Sequence, residues 1–447
     1  MAAIIEVKYF NSFILAKTVN GSSVPVWRKT SGLSDNTDKN WCIEESRITG
    51  GYNNTSVDFG VKAYLVSDKI NASIRGNSMI YSGVFNSRTG VNNTNQFSVG
   101  EDISRSADPS NGSIQKLYAE DTNLIILQES KVSRALIDKD AIYSAEGMPI
   151  TTSGAQVIGQ IQAYSGEWGI SKDPTSFAVY GYQKYFTDRN NNAVLRLSAD
   201  GLTEISSYGM KYFFTNALST LGNGKIVGGY DIVTKSYILS LQPENAEYKT
   251  LAFDETVNGW TSFYNYKPSS IFSVNSSYYT TTGSKVYKHN QENTTNTNRG
   301  KFYGVQYPAS VDLILNPNPS LSKVFKTINY EGSNGWTASS VQTPYDKASS
   351  IKSYLEGAYD SATPQNEGVN AIVQPVYHAG FNRKEGKFFA NIINNSEATE
   401  GEIIYGNSMS GIKGFFSTVT LKTDNSTNVG GFKELYAVSS EYVESSY

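Results

Sequence analysis

The apolar residues of this chain come in short runs, of which Leu124–Leu127 is typical, and Gly, Asn, Asp or Ser closes nearly every one. A buried helix needs ten or more residues of 3.6-residue periodicity between such breakers, and a membrane span needs about 18 apolar residues in a row. Short runs between turn formers satisfy neither and read as strands of four to eight residues. The side chains agree: 31 Tyr, 20 Phe and 38 Gly stand against a charged fraction of only 18%. Aromatic and β-branched residues fit a pleated surface, while Gly and Asn supply the turns. The fold class is therefore all-β, and 447 residues suffice for two to four domains or one large β unit.

Charge and reactive residues exclude further classes. A net charge of -3 gives no phosphate footprint, so neither a basic nor a sequence-specific nucleic-acid binder is expected. Cys42 is the one cysteine, which excludes a disulfide framework and a cysteine-based zinc site. His289 and His378 are the two histidines, 89 positions apart, which excludes a multi-histidine metal centre. Glu6 and Lys8 interrupt the apolar stretch Met1–Phe10, so it does not read as a secretion signal. The expectation is a soluble protein made without export, or released by lysis, with no membrane insertion.

Three regions follow from texture. Residues 1–112 read as an N-terminal β and loop region, with first strands at Ile4–Phe10 and Asn40–Ile48; its segment 66–112 is irregular and reads as an arm packed on a neighbour. Residues 113–298 carry successive short strands with turns between them, in sets of three or four, and one helix at Met210–Leu221 ended by Gly222-Asn223-Gly224. Residues 299–447 form a further β region, possible completion of the same core, with strands expected at Phe302–Val305, Val311–Leu315, Lys323–Tyr330, Ala371–Val376, Lys387–Ile393, Glu402–Tyr405 and Phe415–Leu421. A short helix is expected at Ser349–Tyr359, and a paired final strand from Leu435 on.

A weak internal repeat favours a β-propeller-like core over a sandwich. Tyr230-Asp231 is followed by Tyr237, Phe253-Asp254 by Trp260, and Phe381-Asn382 by Phe388, each aromatic returning seven positions later. The Asp or Asn bends the chain by bonding its own backbone, and the second aromatic should land opposite the first.

No candidate for chemistry passes its own spacing test. Asp188-Arg189-Asn190-Asn191-Asn192 starts like a calcium loop, but Ala193 stands where that loop needs Gly and Ala199 where it needs Glu. Asp138-Lys139-Asp140 with Glu146 fails likewise. The carboxylate pairs Glu44 with Glu45, Glu101 with Asp102, and Asp254 with Glu255 are neighbours, and neighbours on a strand point to opposite faces. Glycoside hydrolysis needs two carboxyls on one cleft. His289 and His378 read as hydrogen-bonded structural residues, and no Gly-x-Ser-x-Gly elbow or phosphate loop is present. No catalytic, cofactor-binding or metal-ligating residue is expected, and the chain is not expected to be an enzyme. The competing reading is a receptor-binding module that grips a bacterial surface glycan through Trp168, Trp260 and Trp336, with a glycan depolymerase behind it.

The peptides Glu44–Thr55, Ile80–Gly90, Leu117–Leu124, Val324–Ser333 and Gly406–Gly414 resemble virion structural proteins of tailed bacteriophages, among them the tail stabilisation proteins of crAss-like and marine phages. The resemblance spans most of residues 40–435. It implies a tail or neck component, similar to propeller-bearing nozzle proteins, located in the phage tail. It also implies assembly with neck, ring or tail proteins or tail fibres, a homo-oligomeric ring, and a share in the DNA passage. It brings no catalytic residue and no cofactor.

Overall fold

In a computed structural model the structure describes residues 75–137 apart from 84, 87, 93, 95–102 and 121–122; 158–291; 298–354 apart from 349; 380–394; and 411–445. It also describes short backbone segments at 12–13, 17–19, 22–24, 43–44, 142–143 and 149–150. The chain divides into two compact units, Met1–Ser284 and Lys285–Tyr447. The all-β expectation holds, and the named strands pair antiparallel throughout.

The first unit is a series of meanders. Strands β1 (Ile114–Glu120), β2 (Asn123–Gln128), β3 (Val132–Ile137) and β4 (Ile158–Ala163) form the first sheet in chain order. Strands β5 (Ala178–Tyr180), β6 (Gln183–Asp188), β7 (Ala193–Ser198) and β8 (Gly201–Glu204) form the second. Helix α1 (Lys211–Ser219) follows, and Gly222 at φ 60° turns the chain out of it. The third sheet is β9 (Lys225–Asp231), β10 (Ser236–Gln242), β11 (Lys249–Asp254) and β12 (Gly259–Tyr264), and a hairpin of β13 (Ser270–Val274) and β14 (Ser277–Thr282) comes next.

The period of two along β6 shows how these sheets stack. Tyr185 packs with residues of the third sheet, such as Tyr237 and Phe253, while the next residue, Phe186, packs with Ile125 and Leu127 of the first. The second sheet is therefore sandwiched. The far face of the third sheet receives β13, where Ser273 Oγ donates to the Tyr230 carbonyl at 2.6 Å. Gly228 and Gly229 make β9 thin enough for both contacts. A methyl on Gly228 would lie 2.0 Å from the Ser176 carbonyl oxygen, and one on Gly229 would lie 2.0 Å from Ile271 Cγ2.

Two of the three aromatic repeats form the expected cross-strand pairs. Tyr230 lies opposite Tyr237, and Phe253 opposite Trp260. Asp231 accepts from the Val233 amide at 2.8 Å and Asp254 from the Thr256 amide at 2.7 Å, the local bonds that open each turn. The third repeat is corrected: Phe388 lies opposite Arg383, not Phe381. Glu385 and Gly386, both at positive φ, make a two-residue turn there, which draws the register tighter than the four-residue loops of the other two.

The second unit opens on the short strand β15 (Lys285–Lys288). Strands β16 (Ser310–Leu315), β17 (Lys323–Gly332), β18 (Trp336–Gln342), β19 (Asn382–Lys384), β20 (Lys387–Asn391), β21 (Ile412–Gly414), β22 (Ser417–Thr423) and β23 (Leu435–Glu444) then form two sheets. One is β16-β22-β18; in the other, β17 takes β20 and β21 on one side and β23 on the other. Phe325, Ile328, Phe388 and Ile412 from the second sheet and Ala338, Val341, Val419 and Leu421 from the first share one core.

Three expectations for this unit are corrected. Phe302–Val305 is not one strand, because Tyr303 and Gly304 at positive φ fold it into a hairpin pairing Phe302 with Val305. The described part of Ser349–Tyr359 is not helical: Ile351 is buried in the core and exchanges both backbone hydrogen bonds with Ala338 at 2.9 Å. Strand β18, with Thr337, Ser339 and Ser340 among its seven residues, is not among the expected strands. The final strand is paired as expected, whereas Ile4–Phe10, Ala371–Val376 and Glu402–Tyr405 lie outside the described residues.

Candidate assembly surface

Polar groups inside the first unit brace sheet against sheet. Asp188, at the end of β6, is fully buried. Its Oδ2 accepts from the Gly169 amide at 2.9 Å and from Asn191 Nδ2 at 2.8 Å, and its Oδ1 accepts from Ser171 Oγ at 2.9 Å. A carboxylate so surrounded by donors fixes a hairpin to the preceding connection. Lys184, also buried, pairs with Glu120 of the first sheet.

Asp254 and Glu255 diverge. Asp254 caps its own turn, while Glu255 accepts from the Tyr185 hydroxyl at 2.7 Å and from Arg196 Nη1 at 2.5 Å, so it ties the third sheet's hairpin to the second sheet. Burial, and then the bond to Glu255, holds the Tyr185 hydroxyl far above the ordinary tyrosine range. Around it four tyrosines stack: Tyr180 on Tyr230 at 4.2 Å, Tyr230 on Tyr185 at 5.9 Å, and Tyr185 on Tyr237 at 4.8 Å between ring centroids. Tyr237 donates to the Ser176 carbonyl at 2.8 Å. This network joins residues up to 70 positions apart, which no local spacing could have revealed.

The remaining candidates do not converge. Trp260 donates its indole N–H to the Ile205 carbonyl at 3.0 Å, and Trp336, buried, donates to the Glu434 carbonyl at 3.1 Å. Trp168 packs half-buried against the core between the first two sheets. His289 rests beside the rings of Phe302 and Tyr303. Cys42, Glu45, Glu101, Asp102, Asp138, Asp140, Glu146 and His378 lie outside the described residues, as does the Glu44 side chain. Among the described residues no group of three or more His, Cys, Asp or Glu could hold a metal ion, and no helix is long and apolar enough to cross a membrane.

Two concavities stand out. In the first unit an open groove of about 570 Å³ runs past Arg105, Asp108, Gln128 and Gln160; in the second a pocket of about 180 Å³ lies among Arg299, Tyr307, Asp424 and Lys433. Each has a single carboxylate in its lining. Asp108 accepts from Ser110, and Asp424 accepts from Ser353 and Thr427; among the described lining residues neither has a second acid opposite it. The exposed aromatics lie elsewhere: Tyr182, Tyr212, Tyr345 and Tyr436 show between 71% and 86% of their surface. Tyrosine there offers broad, low-entropy contact area suited to protein interfaces.

Comparison with known proteins follows this architecture. Residues 106–284, which hold the stacked sheets, match the family model of the Crassvirus muzzle protein. Residues 297–395 match that of the Crassvirus muzzle protein C-terminal domain. No curated protein matches the chain. The phage group is the one the peptides suggested, but the matching name is muzzle, not tail stabilisation. With the two muzzle matches in succession over more than half of its length, the chain belongs with the virion proteins of crass-like phages.

Proposed function

We propose that this chain is a structural part of the phage tail, nozzle-like or stabilising, that assembles with other tail or neck proteins and with copies of itself and lines part of the DNA passage. The observation that carries the reading is the muzzle match over a series of stacked meanders in which buried Asp188 and the Glu255–Arg196 pair brace neighbouring elements. Such meanders support a propeller-like architecture in which each sheet is one blade. A net charge of -3 suits a passage wall to which DNA does not adhere. The role is not catalytic. A glycan-gripping module is less favoured, because Trp260 and Trp336 point their indole N–H groups at the protein's own backbone.

Immunogold electron microscopy of virions tests the proposal. Label at a fixed place on the tail is the expected result. Label on the capsid alone, or none on the particle, would overturn it, as would release of reducing sugar from host polysaccharide by the purified chain.

A further inference from the structure

We infer that copies of this chain join head to tail by pairing strand β15 of one copy with strand β23 of the next. The inference rests on the self-assembly part of the reading above and specifies its contact.

Among the described residues both strands end their sheets. Strand β23 runs ten residues without proline and pairs only with β17, and β15 is the end strand of the three-stranded sheet β13-β14-β15. A long bare edge invites another strand unless something guards it. The two sequences are complementary. Laid antiparallel, Lys285 meets Glu444, Val286 meets Val443, Tyr287 meets Tyr442 and Lys288 meets Glu441. Exposure matches at every step: Lys285, Val286 and Lys288 are exposed with Tyr287 half-buried, and Glu444, Val443 and Glu441 are exposed with Tyr442 half-buried. Val286 shows 62% of its surface and Val443 50%. Side chains alternate along a strand, so each face of the joint would hold one ion pair beside one like-with-like pair.

The same charges select against the alternatives. Self-pairing of β15 opposes Lys285 to Lys288, and self-pairing of β23 through its last four residues opposes Glu441 to Glu444, both repulsive. A parallel joint keeps the ion pairs but opposes Val to Tyr. A contact between two different edges is heterologous, so it closes as a ring or runs on as a filament.

Sedimentation velocity of the full chain tests this, with circular dichroism as the control for folding. The four charged side chains are all exposed, so their reversal should leave each copy folded. K285E/K288E and E441K/E444K should each weaken association roughly tenfold or more, while all four changes together should restore it. V286C with V443C should give disulfide-linked copies under mild oxidation, and neither single change should. Assemblies indifferent to charge reversal, or assemblies that do not cross-link, overturn the strand joint and leave self-assembly standing. A wild-type chain that is monomeric at every concentration overturns both.

Discussion

The two units solve the same problem with different chemistry. The second packs two sheets on one largely apolar core, with Tyr330 stacked on Phe388 at 4.7 Å and edge-on to Phe381. The first stacks sheets in series, so its middle sheets have no solvent face on which to place polar residues. Asp188, Lys184, Ser206, Ser240 and Thr250 are all buried there. A buried polar group must be bonded or it destabilises the fold, and a bonded one fixes position in a way that a greasy contact does not. The difference teaches that a chain short of aliphatic residues can still build a multilayered interior, provided hydroxyls and carboxylates reach across sheets.

Alkali should separate the units most. Burial is the leading cause that raises the hydroxyls of Tyr185, Tyr230, Tyr237 and Tyr266 in the first unit, and in the second Tyr330 is raised in the same way. Unfolded tyrosine ionises near 10, so the folded groups stabilise fully below that value and the contribution falls as pH rises through it. One unit above it each such tyrosine withdraws about 1.4 kcal/mol, hence about 5.6 kcal/mol from the four in the first unit against one such loss in the second. Hydrogen exchange at pH 11 should show residues 114–282 opening first. Simultaneous opening would break the comparison.

Mutations test it at neutral pH. Tyr237→Ala removes a fully buried ring from the tyrosine stack and should cost about 3–5 kcal/mol, with loss of exchange protection confined to the first unit. Gly229→Ala forces a methyl against Ile271 and should cost about 1–3 kcal/mol by overpacking, read as a lower urea midpoint for that unit. Glu255→Gln keeps an acceptor for Tyr185 but leaves Arg196 without its counter-charge, a loss of about 1–2 kcal/mol in the same assay.

Local order was legible and distant contacts were not. Tyr230 with Tyr237, and Phe253 with Trp260, could be paired from sequence because Asp231 and Asp254 announce their turns and four-residue loops set the register. The same seven-residue spacing misled at Phe381, where Glu385-Gly386 made a shorter loop. Strand β18 escaped because Thr337-Ala338-Ser339-Ser340 lacks apolar alternation; its identity comes from pairing with β22. Ile351 is extended for a similar reason, since a core position and Ala338 override local helix preference. The Glu255–Arg196–Tyr185 network spans two hairpins of different sheets, and Gly228-Gly229 reads as a weak point in a strand until its neighbours on both faces are known. The edge strands β15 and β23 read as strands, but their match has meaning only once the topology leaves each with one paired side among the described residues.

Acid should reverse the order of the units, with the smallest effect. Burial alone would raise the Asp424 carboxyl, but hydrogen bonds from Ser353, Thr427 and Ser426 outweigh it and hold the group below its ordinary value. A carboxyl lowered on folding stabilises above its unfolded pKa of about 3.9 and loses that contribution as pH falls through the folded value. In the first unit Asp173 goes the other way: burial raises it, with Arg189 only partly opposing, so protonation relieves a cost there. Asp108 and Glu129 of the first unit are lowered too, by bonds from Ser110 and Ser113, but both sit near the surface where solvent screens the effect. Between pH 6 and 3 the second unit should therefore lose protection relative to the first. Asp424→Asn should flatten that acid slope at a cost of about 1 kcal/mol near neutrality, because the amide still accepts from Thr427 but no longer as an anion. An unchanged slope in the variant would show that another group carries the acid sensitivity of the second unit.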